Sequence, residues 1–143
     1  MSFNNLDALY RQVIMDHYQH PRNRGTLDDE TISFEMNNPS CGDRIMVHLH
    51  VEEGVVKDIK FEGEGCSISM ASASMMTEAV KGREVDEGLK MSETFSKMML
   101  GEDISIKDFS FSDIAALQGV SKFPARIGCA TLAWKAFEKS VKE

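Results

Sequence analysis

The chain has 143 residues, 23 acidic against 16 basic, for a net charge of −7 at neutral pH. This length suits one domain with a core of its own. With 42% hydrophobic and 27% charged residues, a collagen-like or wholly disordered chain is excluded, and so acidic a balance argues against a nucleic-acid partner.

The first predicted element is a helix over residues 4–19. Leu6, Leu9, Tyr10, Val13, Ile14 and Tyr18 recur at three- and four-residue steps. Pro21 and Gly25 end it, and His17 and His20 near its C-terminus suit the negative end of the helix dipole. Met1–Tyr10 shows no basic segment followed by an apolar run. No stretch of the chain approaches the roughly 20 apolar residues that span a bilayer. The expectation is therefore no membrane association and a cytoplasmic setting, where thiols stay reduced.

Three strands follow. Thr31–Asn37 places Ile32, Phe34 and Met36 on one face, and Asp28, Asp29 and Glu30 before it read as a solvated loop. Asp43–Val51 alternates Ile45, Val47, Leu49 and Val51 against Met46, His48 and His50. Val55–Phe61 places Val55, Ile59 and Phe61 on one side. Half-buried antiparallel strands alternate in this way. Aligning the apolar faces pairs Val51 with Val55, Val47 with Ile59 and Ile45 with Phe61. That register leaves Glu52-Glu53-Gly54 as a three-residue loop with Gly54 at its left-handed position. His48 and His50 have ligand-like spacing, but a polar or helix-covered face is the simpler reading.

Helices are predicted at Ser67–Val80, Val85–Leu100, Asp113–Val120 and Pro124–Val141, with a polar stretch over Gly101–Ser112. The last carries the stripe Ala130, Ala133, Trp134, Phe137 and Val141. The methionines of these helices read as core filler. Strands followed by helices give an α+β fold, a three-stranded antiparallel sheet with helices packed mainly on one face.

The three cysteines fall at the edges of these elements, and an odd number fits poorly with a closed disulfide framework. Cys41 sits in Pro39-Ser40-Cys41-Gly42-Asp43, just before the second strand, and Cys66 follows Gly63-Glu64-Gly65 after the third. The register above sets Cys41 opposite Gly65, with Asp43 pointing to the same end. Cys66 begins a helix, where free N–H groups favour an anion. Cys129 stands in the first turns of the last helix, three residues after Arg126, a cation able to steady a thiolate or a developing anion. Small buried hydrophobes and a shared thiolate site both remain open readings. Cys41, Cys66 and Cys129 together with the Asp43 carboxylate make a four-ligand set suited to zinc, which takes S, N and O donors tetrahedrally.

The sequence also resembles a known family, the IscU-like iron–sulfur scaffolds, and within it the SufU branch of Gram-positive bacteria. The residues that carry the resemblance are Asp16-His17-Tyr18 with Pro21-Arg22-Asn23, then Asn38-Pro39-Ser40-Cys41-Gly42-Asp43, Phe61-Glu62-Gly63-Glu64-Gly65-Cys66-Ser67-Ile68-Ser69, and Cys129-Ala130-Thr131-Leu132-Ala133-Trp134. The resemblance spans nearly the whole chain and implies a single IscU/SufU-like domain over residues 1–143. In IscU proper a histidine directly precedes the third cysteine. Here that position is Gly128, and the segment around Gly101–Val120 is longer, as in SufU. The implied function is a zinc-bound sulfurtransferase of iron–sulfur cluster assembly. Cys41, Asp43, Cys66 and Cys129 would hold zinc. Cys41 would accept persulfide sulfur from a cysteine desulfurase, leaving the metal as that partner docks, and pass the sulfur toward downstream iron–sulfur assembly proteins. Arg126 would assist by charge. The alternative implied by the same family is a scaffold on which an iron–sulfur cluster is assembled and transferred, with iron or a cluster in place of zinc. A closed structural zinc domain is a third reading.

Overall fold

The computed structural model of the protein describes residues 2–38, 42–102 and 113–142, with the backbone alone at 2–10, 113 and 115. The order is α1 (Ser2–Gln19), β1 (Ile32–Asn38), β2 (Asp43–Glu52), β3 (Val55–Glu64), α2 (Ser67–Val80), α3 (Val85–Met99), a 3₁₀ helix (Asp113–Lys122) and α4 (Pro124–Lys142). Each predicted element is present, the third helical segment as 3₁₀ rather than α. The predicted polar stretch over Gly101–Ser112 lies largely outside the described residues.

The strands form one antiparallel sheet in the order β1-β2-β3. Ile45, Val47 and Leu49 of β2 and Val56, Ile59 and Phe61 of β3 are fully buried on one face. Helices α2 and α4 lie against the sheet, and α1 and α3 pack against those two. This is the expected α+β architecture.

Helix α2 is buried from Ser69 through Thr77 without interruption, which is why it shows no apolar stripe. Its small residues let neighbours approach closely, and its serines find partners inside the core. Ser72 Oγ, for example, donates to the Ala130 carbonyl of α4 at 2.6 Å. Met70, Met75, Met76, Met98 and Met99 are core residues, as expected, and Phe95 stacks on Trp134 at 4.9 Å between ring centres.

The hairpin register departs from the predicted one. Val47 pairs with Phe61 and Leu49 with Ile59, two residues away from the expected alignment. A bulge between His50 and Val51 then shifts the ladder, so that Val56 faces Val51 and Val55 faces Glu52. The loop therefore has two residues, Glu53 and Gly54, with φ of 53° and 77°. Two consecutive positive φ angles match the twist of the flanking strands. The segment after α2 holds this turn in place. Val85 N–H donates to the Gly54 carbonyl at 2.8 Å, Val56 N–H to Arg83 at 2.9 Å, and Gly82 N–H to Val56 at 2.7 Å. The slip is by an even number of residues, so the apolar face of β2 is unchanged.

The histidines also find partners that local sequence does not reveal. His17 is fully buried rather than capping a helix end, with Nδ1 2.8 Å from Ser74 Oγ of α2. The same hydroxyl accepts the Arg22 N–H at 2.9 Å, and Asn23 Nδ2 donates to Thr77 Oγ1 at 3.2 Å. Residues 17–23 thus tie α1 to α2. On the outer sheet face, His48 is 6% exposed and sits 2.7 Å from Glu30 Oε1, while His50 Nδ1 donates to the Asp29 carbonyl at 2.7 Å. The loop expected to be merely solvated therefore holds both imidazoles.

The Asp29 carbonyl raises the His50 pKa above its ordinary 6.5, and the Asp29 and Glu52 carboxylates add to the effect. A raised folded-state value means the contribution to stability is full below the unfolded pKa and is lost as pH rises through the folded one. Chemical denaturation of His50→Gln should therefore show less loss of stability between about pH 6 and 8 than wild type. Parallel profiles would overturn this assignment.

Candidate metal centre

The corrected register decides what stands at the end of the hairpin. The β2–β3 ladder runs to Arg44 opposite Glu64, which brings Asp43, the first residue of β2, beside Gly65 and Cys66. The sequence expectation set Cys41 at that position. Cys41 itself lies outside the described residues.

Asp43 is 1% exposed. Its Oδ1 accepts the Cys66 N–H at 3.0 Å. Its Oδ2 is buried and has no hydrogen-bond partner among the described residues. Cys66 is the N-cap of α2 in extended conformation, half-buried, and its own side chain makes no cap hydrogen bond. Its thiol reaches Ser69 Oγ at 3.9 Å, and that hydroxyl donates to the Cys66 carbonyl at 3.2 Å. Ser69 is fully buried. Residue type alone does not mark it as part of the site, because one turn of helix is needed to bring it there. Cys129, on the second turn of α4, is fully buried. Arg126 is exposed one turn earlier on the same helix.

The ligand atoms of Asp43, Cys66 and Cys129 all lie within 4.8 Å of one another. Tetrahedral ligands of one zinc ion stand about 3.5–3.8 Å apart, given bonds of about 2.0–2.3 Å. Small side-chain movements therefore suffice to close the three around an ion. The donor set also suits the metal: two sulfurs and a carboxylate whose second oxygen is buried and without a hydrogen-bond partner among the described residues. A buried polar atom without a partner costs free energy, and a cation at this point would satisfy it. The geometry depends on Gly65, since a Cβ there would overlap Asp43 Oδ1. At Gly128, a Cβ would stand 3.1 Å from Asn38 Nδ2.

The family model for the NifU-like N-terminal domain matches residues 9–142. The chain belongs to this family. Within it, the chain is 62% identical over 142 residues to the zinc-dependent sulfurtransferase SufU of Bacillus subtilis (strain 168), covering 99% of this chain and 95% of the relative. It is 40% identical over 142 residues to the iron–sulfur cluster assembly scaffold protein IscU of Streptococcus pyogenes serotype M1, covering 99% and 88% of the two chains. Its fold superposes at a TM-score of 0.86 on the crystal structure of FiSufU, a candidate iron–sulfur cluster assembly scaffold for the SUF system from Fervidobacterium islandicum AW-1. That chain is 31% identical, and the match covers 91% of this chain and 94% of that one. The resemblance read from the cysteine motifs is borne out. Among the described residues, no helix of this NifU-like domain is long and apolar enough to cross a membrane.

Proposed function

We propose that the protein is a zinc-bound sulfurtransferase of iron–sulfur cluster assembly, acting as one domain in the cytoplasm. In this reading Cys41 accepts persulfide sulfur from a cysteine desulfurase and passes it to downstream assembly proteins. The observation that carries the reading is the convergence of Asp43, Cys66 and Cys129 around one buried point. The 62% identity to a zinc-dependent sulfurtransferase supports it.

Cys41, Asp43, Cys66 and Cys129 would hold the metal, which when bound keeps thiols deprotonated without redox chemistry of its own. The chain's own residues do the rest. Asp43 fixes the start of α2 through the Cys66 N–H. Cys41, as thiolate, attacks the terminal sulfur of the donor's persulfide. A new S–S bond forms on Cys41, and the donor's S–S bond breaks with its electron pair leaving on the desulfurase thiolate. One S–S bond replaces another and the transferred sulfur keeps its oxidation state, so the exchange needs no external oxidant or reductant, and loss of its proton to solvent leaves the persulfide anion. Arg126, on the exposed start of α4, offers a fixed positive charge to the persulfide anion.

The donor set also suits an iron–sulfur cluster as cargo, since such clusters are held mainly by thiolates, and the relative named IscU favours that second reading. Purified protein separates the two. Zinc near one equivalent and strong stimulation of alanine release from cysteine by a desulfurase are expected for the relay. Cys41→Ala should reduce that stimulation to the desulfurase's unaided rate. Full stimulation by Cys41→Ala would end the relay reading, and a visible cluster chromophore with little zinc would establish the scaffold.

A further inference from the structure

A groove of about 390 Å³ opens beside Cys66, between α1, the start of α2 and the 3₁₀ helix. Its floor is apolar, made by Ile14, Ile68, Ala116 and Val120. Met15 and Phe123 line it as well, 37% and 62% exposed. Two of the four exposed large hydrophobic residues among those described thus meet at this one place. Exposed apolar side chains around a concave floor are what a partner's anchor residue needs.

The charge around the groove is the second observation. Arg11 and Lys122 line it, and no acidic side chain does among the described residues. Elsewhere on this acidic chain some cations pair with carboxylates, as Arg22 does with Asp16 and Arg44 with Glu35, while others such as Arg24, Lys57 and Lys135 have no acidic partner among the described residues. What marks the groove is two cations and no carboxylate around one apolar concavity. Arg11 and Lys122 are exposed, and among the described residues neither has an acidic partner. Two cations that have no acidic partner among the described residues, flanking an apolar floor, complement carboxylates placed beside an apolar side chain.

The third observation is position. Ser67 and Ile68, which line the groove, directly follow Cys66, and Phe123 directly precedes α4, the helix that carries Cys129. A side chain seated here holds the backbone of its owner next to the candidate metal centre. We infer that this groove receives an apolar residue flanked by carboxylates on the surface of the sulfur-donating enzyme. This rests on the sulfurtransferase reading above. The groove is what orients the donor, and Arg11 and Lys122 supply the steering charge.

The test uses the zinc-loaded full chain and the cysteine desulfurase of the same organism, with binding measured by calorimetry and stimulation by alanine release. Arg11→Glu combined with Lys122→Glu changes only exposed charge, so zinc content and melting temperature should stay at wild-type values. The dissociation constant is expected to rise at least tenfold, with a shallower dependence on salt than wild type. Phe123→Ser should also weaken binding at least tenfold, and should keep that effect at high salt. If wild type stimulates the desulfurase while both groove variants bind it unchanged, the groove assignment is overturned and the relay stands. If wild type neither binds nor stimulates, the relay reading fails and takes the proposed occupant with it. Self-association of wild type that the double variant abolishes, with desulfurase binding intact, would make the groove a contact between copies and overturn the inference.

Discussion

Asp43→Asn is expected to stabilise the metal-free protein and destabilise the zinc-loaded one, each relative to wild type in the same state. Without metal, the Asp43 carboxylate is 1% exposed, and among the described residues only one of its oxygens has a hydrogen-bond partner. Burying a charge with that little compensation is expensive. Asparagine keeps the shape, its carbonyl still accepts the Cys66 N–H, and its amide hydrogens face two sulfurs instead of setting a negative charge beside them. A gain of about 1–2 kcal/mol follows, which for a chain of this size raises the melting temperature by about 3–10 °C. With zinc the sign reverses. An amide is a poor substitute for a carboxylate ligand, and a loss of about a hundredfold in affinity removes about 2.7 kcal/mol of the stabilisation that excess metal confers. Melting curves of both proteins, with chelator and with zinc, check the two signs together. Equal destabilisation in the two states would mean that Asp43 serves only to hold the end of the hairpin.

Why Asp43 occupies that point is also where local sequence stops being enough. The alternation of Ile45, Val47 and Leu49 is legible because one face of β2 is buried, and an even slip leaves that face intact. The register itself was not legible. A three-residue loop with Gly54 in the left-handed position is the natural local reading, since Glu53 is not a residue that favours positive φ. The observed turn requires it at both residues, with φ of 53° at Glu53. Hydrogen bonds from residues 82–85, some thirty positions away, hold it there. Tertiary contact overrides propensity, and the two-residue shift moves Asp43 to the place where Cys41 was expected.

The histidines carry the same lesson. His17 looks like a dipole cap until Ser74 is known to lie behind it. Of the four donors that the sequence suggested, Asp43, Cys66 and Cys129 do come together, while Cys41 lies outside the described residues. Ser69, the burial of the Asp43 carboxylate and the groove beside Cys66 were not legible, since each exists only once helices are placed against one another.

Two glycines near the centre should separate fold from site. At Gly63, φ is 141°, and a Cβ would overlap the Arg44 carbonyl oxygen across the hairpin. Both the conformation and the overlap involve backbone within a paired ladder, which cannot swing aside. Gly63→Ala is therefore expected to cost about 3–5 kcal/mol and to lower the melting temperature by about 10–20 °C, whether or not metal is present. At Gly65 the added Cβ would overlap Asp43 Oδ1 and stand 2.6 Å from Ser69 Oγ. Those are side chains, and they can move at a smaller cost of about 1–3 kcal/mol. Moving the carboxylate, however, breaks its bond to the Cys66 N–H and takes it out of line with the two sulfurs. Gly65→Ala should thus weaken zinc binding at least tenfold although no ligand has been changed, while Gly63→Ala, where it folds, should bind zinc nearly as wild type does. Competition with a chromophoric chelator, read beside melting temperature, distinguishes the two. Wild-type zinc affinity in Gly65→Ala would show that the orientation of Asp43 is not what completes the centre.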